Sequence, residues 1–290
     1  MLVIEKDFAG SQIPGARPYQ EDAQGFAALR EAEDGCGHVE CLLTVLADGM
    51  GGENAGDFAS QSVVQTFVDY CHDVSGSVAG EDTPGMLLSA MKAANEGLTI
   101  AMQKDPSLEG MGCTLLATVV VDHLLYWLSV GDSPLYLYRD GQFAQINEDH
   151  SMMPVLQQLV EEGKIRPDEL SNHPDRNVLR AAITGDEIEL VDCPAAGFPL
   201  NPGDILIVAS DGLQTLNEEA ISSRLERHHT LTADAITRKL LTAVKRAKKP
   251  RQDNASINII RIPDPENDMP FQEEDIGKTR LIRRATKAEG

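Results

Sequence analysis

Apolar residues along this chain fall into two rhythms. Short, β-branched runs occupy residues 41–47, 115–121, 124–130, 135–138, 205–209 and 257–262, and these predict strands. A repeat every three or four positions links Ala59, Val63, Phe67 and Cys71, then Leu87, Leu88, Met91, Leu98 and Met102, then Ile236, Leu240, Leu241 and Val244, and these predict helices. Asp122-His123 and Asp140-Gly141 separate neighbouring strand runs by two turn-forming residues. Connections that short make antiparallel hairpins, whereas parallel strands need long crossovers. A doubly wound nucleotide-binding sheet is thereby disfavoured, and blocks of strands alternating with blocks of helices predict the α+β class.

Between residues 152 and 180 the rhythm weakens around Pro154, Pro167 and Pro174 and many charges, predicting a short helix near 155–162, then loop, as in a mobile flap. After Ile262 the chain turns acidic and proline-containing, then ends in KTRLIRRATKAEG, so 263–290 reads as a disordered tail and 1–262 as one domain. No repeat of roughly 20 to 50 residues is visible, which argues against solenoids and propellers.

Composition narrows the partners. The 290 residues carry 25 Lys plus Arg against 46 Asp plus Glu, a formal charge of −21. Such a surface repels nucleic acid and anionic lipid at long range. A phosphate substrate would require positive charge concentrated locally, by arginines or metal ions. The longest apolar stretch, residues 115–130, is interrupted by Asp122 and His123 and is too short to span a membrane. With no secretory leader pattern at the start, a cytoplasmic location is expected. Cys36, Cys41, Cys71, Cys113 and Cys193 are odd in number and contain no Cys-x-x-Cys, which fits reduced thiols better than a disulfide scaffold or zinc site.

Chemistry concentrates in acidic segments: Glu21-Asp22, Asp48-Gly49, Asp132, Asp211-Gly212 and Asp253-Asn254. Asp-Gly is an ordinary turn dipeptide, and any one of these serves equally as a strand terminator. Yet TVLADGMGG and LIVASDGL place a carboxylate directly after a strand that must be buried, where it is costly unless something positive meets it. Oxygen donors without His or Cys suit hard divalent ions such as Mg²⁺ or Mn²⁺.

The stretches ARPYQEDAQG, VLADGMGGENAG, GMGCTLLATVV, LSVGDSPLYLYRDGQF, NEDHSM, LVEEGKI, HPDRNVLRAAITGD, ILIVASDGLQTL and DNASINIIRI, spread over residues 8–262, together resemble the PPM-type (type 2C) metal-dependent Ser/Thr protein phosphatases of the compact bacterial kind. The resemblance implies two antiparallel sheets packed face to face, helices on both outer faces, and two Mn²⁺ or Mg²⁺ ions, with room for a third, at one end. It implies that Asp48 is shared by two ions and the Gly49 carbonyl completes one site. Asp211 and Asp253 would hold the other ion, with Glu21 near the second. Asp22 would act on the attacking water, Arg17 bind phosphate, and Asp132 serve the third site. Met50 stands where many eukaryotic members have histidine, and Pro134 where an arginine is frequent. The implied activity is hydrolysis of phosphoserine and phosphothreonine on proteins, opposing a Ser/Thr kinase. Alternatives are a pseudophosphatase scaffold that binds phosphoproteins, or an enzyme dedicated to one regulatory partner such as an anti-sigma-factor antagonist.

Other features have simpler readings. His150 and His173 border the flap and read as surface or turn residues; Met50, Met152 and Met153 read as packing. The run Lys245, Arg246, Lys248, Lys249 and Arg251 reads as a solvated, dipole-favoured helix end rather than a phosphopeptide contact. Thr279 and Thr286, among basic residues, read as part of an uninvolved terminus.

Overall fold

In the computed structural model the described residues are 1–33, 37–51, 55–78, 82–171 and 173–265. Cys36, Thr279, Thr286 and nearly all of the expected tail lie outside them. One sheet has the order β1 (Phe8–Ile13), β11 (Ala255–Arg261), β10 (Ile205–Ala209), β7 (Leu135–Arg139), β8 (Gln142–Gln145). The other runs β2 (Asp22–Glu31), β3 (Val39–Met50), β5 (Leu115–Val121), β6 (Leu124–Val130), β9 (Phe198–Pro199), with β4 (Gly112–Cys113) paired to the end of β3. Every pairing between these strands is antiparallel. The two expected hairpin turns carry φ of 51° and 61° at Asp122 and His123, and 49° and 78° at Asp140 and Gly141. Positive φ at both central residues matches the right-handed twist of the flanking strands.

Strand alternation explains why β3 and β5 are apolar on both faces. Leu42 and Leu46 of β3 meet Phe8, Phe26, Leu116, Leu206, Val208 and Ile260 between the sheets. Leu43, Val45 and Ala47, one residue out of phase, face α1 (Ala55–Val78) and α2 (Thr83–Lys104). The outer face of the first sheet is covered by α5 (Glu218–His228) and α6 (Ala233–Ala247), through Ile221, Leu225, Ile236, Leu240 and Val244. The result is four layers, helix–sheet–sheet–helix. No helix among the described residues is long and apolar enough to cross a membrane.

The expected strands at 115–121, 124–130 and 205–209 match in full. β3 runs on to Met50, so Asp48 lies inside a strand rather than after it. The flap holds two helices, α3 (Met153–Glu161) and α4 (Pro167–Ser171), with Leu156 the buried anchor of α3.

Antiparallel order gathers the acidic segments. Asp22 opens β2 directly opposite Asp48 near the end of β3. Ala209, last in β10, pairs with Ile257 near the start of β11, bringing Asp211 beside Asp253. Asp132 follows β6, and Ile13 at the end of β1 pairs with Ala255. All these chain ends fall at one edge of the sandwich.

Candidate active site

The edge is hollowed into a cleft of about 700 Å³ lined by Arg17, Asp48, Gly49, Met50, Thr114, Asp132, Asp211 and Asp253, with residues of the 177–189 segment forming its far wall. Asp48 remains open to the cleft while protein crowds it on every other side. Its carboxyl stands well above the ordinary range, first because of burial and then because Asp22, Asp211, Asp132 and Asp253 repel its charge. Burial likewise pushes Asp211 up to about 7, with repulsion from Asp132, Asp253 and Asp22 opposed by Arg17. Asp132 rises to about 6 through burial and Asp149. Burial also raises Asp22 and Glu21, against hydrogen bonds from Ser256 and Ser210 in the first case and the charge of Arg17 in the second. These mutual repulsions place Asp22, Asp48, Asp132, Asp211 and Asp253 within one electrostatic neighbourhood.

Arg17 supplies the local positive charge. Its Nη2 donates to Asp253 Oδ2 at 2.6 Å and its Nη1 lies 3.7 Å from Glu21 Oε2, while half of the side chain stays exposed. Among the described residues no three His, Cys, Asp or Glu side chains stand at metal-binding spacing. Arg17 engages an oxygen of Asp253. The donor set nonetheless fits hard cations. Asp22 Oδ1 and Asp211 Oδ1 are buried without any hydrogen-bond partner, a costly arrangement that a cation relieves.

Several residues that sequence reasoning gave no role fix this geometry. Thr114 exchanges backbone and side-chain bonds with Asp48, its Oγ1 accepting from Asp48 N at 2.9 Å and its N donating to Asp48 O at 2.9 Å. The same hydroxyl pairs with Ser133 Oγ at 2.8 Å, joining Asp48 to the loop of Asp132. Asn254 is buried: its Oδ1 accepts from Glu21 N at 2.8 Å and its Nδ2 donates to Pro14 O and Tyr19 O, both at 2.9 Å. It thus ties down both ends of the loop that carries Arg17. Ser210 Oγ donates to Asp22 Oδ2 at 2.8 Å. The quoted motifs contained Thr114, Ser133, Ser210 and Asn254, but only the bonds reveal their purpose.

Gly49 answers a steric demand. A Cβ there would lie 2.1 Å from Gly56 O and 2.5 Å from Glu21 O, both backbone atoms. Met50 lines the cleft, and no histidine does among the described residues. His150 is buried rather than superficial: its N donates to Gly131 O at 3.0 Å and its Nδ1 accepts from Gly131 N at 3.3 Å. His173 fits a turn, Nδ1 accepting from Asp175 N at 3.2 Å.

Paired antiparallel sheets between helical layers, with an acidic cluster and the arginines Arg17 and Arg180 at the edge, define a protein of the PPM-type phosphatase class. A family model described as protein phosphatase 2C matches residues 31–246. The chain is similar to the serine/threonine protein phosphatase PstP of Mycobacterium tuberculosis, 37% identical over 186 residues that cover 63% of this chain and 34% of that protein. It is also similar to the serine/threonine phosphatase stp of Listeria innocua, 30% identical over 67% of this chain and 75% of that one. A solved catalytic domain of a PstP, in complex with two manganese ions, superposes with a TM-score of 0.68 at 28% identity, covering 89% of this chain and 98% of that one. The chain therefore belongs to the protein phosphatase 2C family. It spans about a third of the length of the Mycobacterium relative.

Proposed function

We propose that the protein hydrolyses phosphoserine and phosphothreonine on protein substrates in a reaction that depends on Mn²⁺ or Mg²⁺. The observation that carries this reading is the convergence of Asp48, Asp132, Asp211 and Asp253, from well-separated chain segments, on one cleft beside Arg17, with Asp22 buried behind them opposite Asp48. Kinship with named Ser/Thr phosphatases, one solved with two manganese ions, supports it.

In this reading Asp48, central among the acids, is shared between two ions. Asp211 and Asp253 would hold one ion, Glu21 and Gly49 would serve the second, and Asp132 would hold a third. When bound, the ions supply Lewis acidity toward water and toward the phosphate oxygens. Arg17 uses the donors not engaged by Asp253 to grip phosphate as a planar fork and orient phosphorus for in-line attack by water. Asp22, with Oδ2 fixed by Ser210, offers Oδ1 to a proton of that water. The serine or threonine alkoxide leaves on the far side and takes a proton there. Met50 has none to give, so a water held on the Asp132 side of the cleft would supply that proton.

Substrate phosphoproteins imply an opposing Ser/Thr kinase, and a cytoplasmic site of action without nucleic-acid or membrane binding completes the proposal. The test is release of phosphate from a phosphothreonine peptide with Mn²⁺, with chelator, and by Asp211→Asn. Expected are activity in the first case and near-complete loss in the other two. Turnover indifferent to chelator contradicts the mechanism. A folded, manganese-loaded and inactive protein points instead to the scaffold alternative.

A further inference from the structure

Just outside the cleft, a pocket of about 190 Å³ is lined by Ile13, Gly15, Ala16, Val244, Gln252 and three lysines, Lys245, Lys248 and Lys249. Positive charge gathered this way is anomalous in a chain of charge −21. None of the three ammonium groups is paired with a carboxylate of the described residues. The helix dipole accounts for Lys245 and Arg246, which sit in the last turn of α6. Lys248 is the helix cap and Lys249 follows it, and the dipole, which favours positive charge at a helix end, does not require the recess that all three lysines line. Lys248 is also held in a left-handed conformation, φ 50° and ψ 37°, at a cap position where glycine or asparagine is the unstrained choice. Strain retained at a charged residue is a pointer to use.

The pocket is built from the same pieces as the cleft. Ala16 N donates to Gln252 O at 2.8 Å, and Gly15 sits so close to the Gln252–Asp253 backbone that a Cβ would lie 2.2 Å from Asp253 O. Gln252 Oε1 accepts from Thr215 Oγ1 at 2.6 Å, and its Nε2 donates to Gly212 O at 3.3 Å, linking the wall to the turn that carries Asp211. One peptide step, about 3.8 Å, leads from Ala16 to Arg17 and from Gln252 to Asp253. The cleft lining itself carries Asp186, Glu187 and Glu189 together with Arg180.

We infer that this lysine pocket is a docking subsite for acidic residues on one side of the substrate's phosphorylated residue. The inference rests on the phosphatase reading and names the substrate class for the same cleft. Acidic side chains on that flank meet unpaired ammonium groups. The pocket lies on the Ala16 and Gln252 side of the cleft alone, so the preference has a direction.

The experiment compares phosphothreonine peptides bearing three glutamates N-terminal to the phosphothreonine, three C-terminal to it, or alanines throughout. They are presented to the full-length manganese-loaded protein and to a Lys245→Ser/Lys248→Gly/Lys249→Ser variant. For the wild type, one glutamate peptide should exceed the alanine peptide in kcat/KM by about tenfold at low salt, carried by KM and fading as salt rises. The variant should lose that advantage while hydrolysing para-nitrophenyl phosphate at the wild-type rate. Lys248→Gly alone should keep or raise Tm, separating charge loss from misfolding. A glutamate preference that is absent in the wild type, or that survives in the variant, overturns the subsite. If para-nitrophenyl phosphate is not hydrolysed at all, the phosphatase reading is what fails. Fluorescence anisotropy then tests the pocket alone: weaker binding of one glutamate peptide by the variant than by the wild type supports it, and equal binding of both refutes it.

Discussion

At the scale of single residues, the site depends on atoms that never touch substrate. Asn254 uses one buried amide to restrain Glu21, Pro14 and Tyr19, so Asn254→Ala leaves three backbone groups short of a partner. Each such loss costs on the order of 1–3 kcal/mol when buried. The expected outcome is a lowered Tm together with a fall in kcat/KM of at least about tenfold, read by thermal melts and phosphopeptide kinetics; an unaltered kcat/KM would mean the Arg17 loop holds itself. Gly49→Ala should also damage the fold, because the new methyl meets backbone on both sides with no flexible side chain to yield. A loss of roughly 2–4 kcal/mol is expected in urea unfolding. The carboxylates were legible from the sequence because buried acids at strand ends are chemically conspicuous. Thr114, Ser133 and Asn254 were not, since a hydroxyl or amide acquires meaning only when folding supplies the backbone group it satisfies. His150 shows the opposite error: at the border of the flap it reads as a surface or turn residue, whereas the structure buries it against Gly131.

Among the elements, legibility followed hydrophobic contrast. α6 announced itself through Ile236, Leu240, Leu241 and Val244, whereas α5 went unseen because only Ile221 and Leu225 are buried along its polar surface. Its entry was nevertheless written in Asn217, which accepts from Ala220 N at 2.9 Å and precedes Glu218 and Glu219. β1 and β2 escaped notice because FAGSQI and DAQGFAALRE mix glycine, alanine and polar residues with their few large apolar ones. Gly10 fits there for lack of space, a Cβ falling 2.2 Å from Asn258 Oδ1. The same contrast separates rigid elements from loose ones. α3 buries only Leu156, and the flap rejoins the body at the Ser151–Leu179 bridge, while β3 and β5 are buried along most of their length. Amides of α3 and α4 should therefore exchange hydrogen at least about a hundredfold faster than those of β5 under native conditions. Equal protection would show that the flap opens only with the whole domain.

Over the whole molecule, the acidic cage sets a conflict between folding and function that pH and metal resolve in opposite ways. Asp211 and Asp132 stand near 7 and 6 in the fold, above the range of an unfolded aspartate near 3.9. A carboxyl raised by folding stabilises the native state fully while it is protonated in both states, below about pH 4. That contribution disappears as pH rises through the folded values. Metal-free protein should accordingly lose stability between pH 5 and 8, with Tm falling by roughly 5–15 °C, and the net charge of −21 adds self-repulsion in the same direction. Bound divalent cations favour the ionised acids, so saturating Mn²⁺ should remove most of that slope and raise Tm more at pH 8 than at pH 5. Calorimetric melts across this range, with chelator and with Mn²⁺, measure both slopes. Asp211→Asn should flatten the chelated curve by removing one raised carboxyl, at the expense of manganese-dependent stabilisation. A chelated protein equally stable at pH 5 and pH 8 would mean that the acids relax away from one another when empty, and that the cation must assemble the cage rather than enter it.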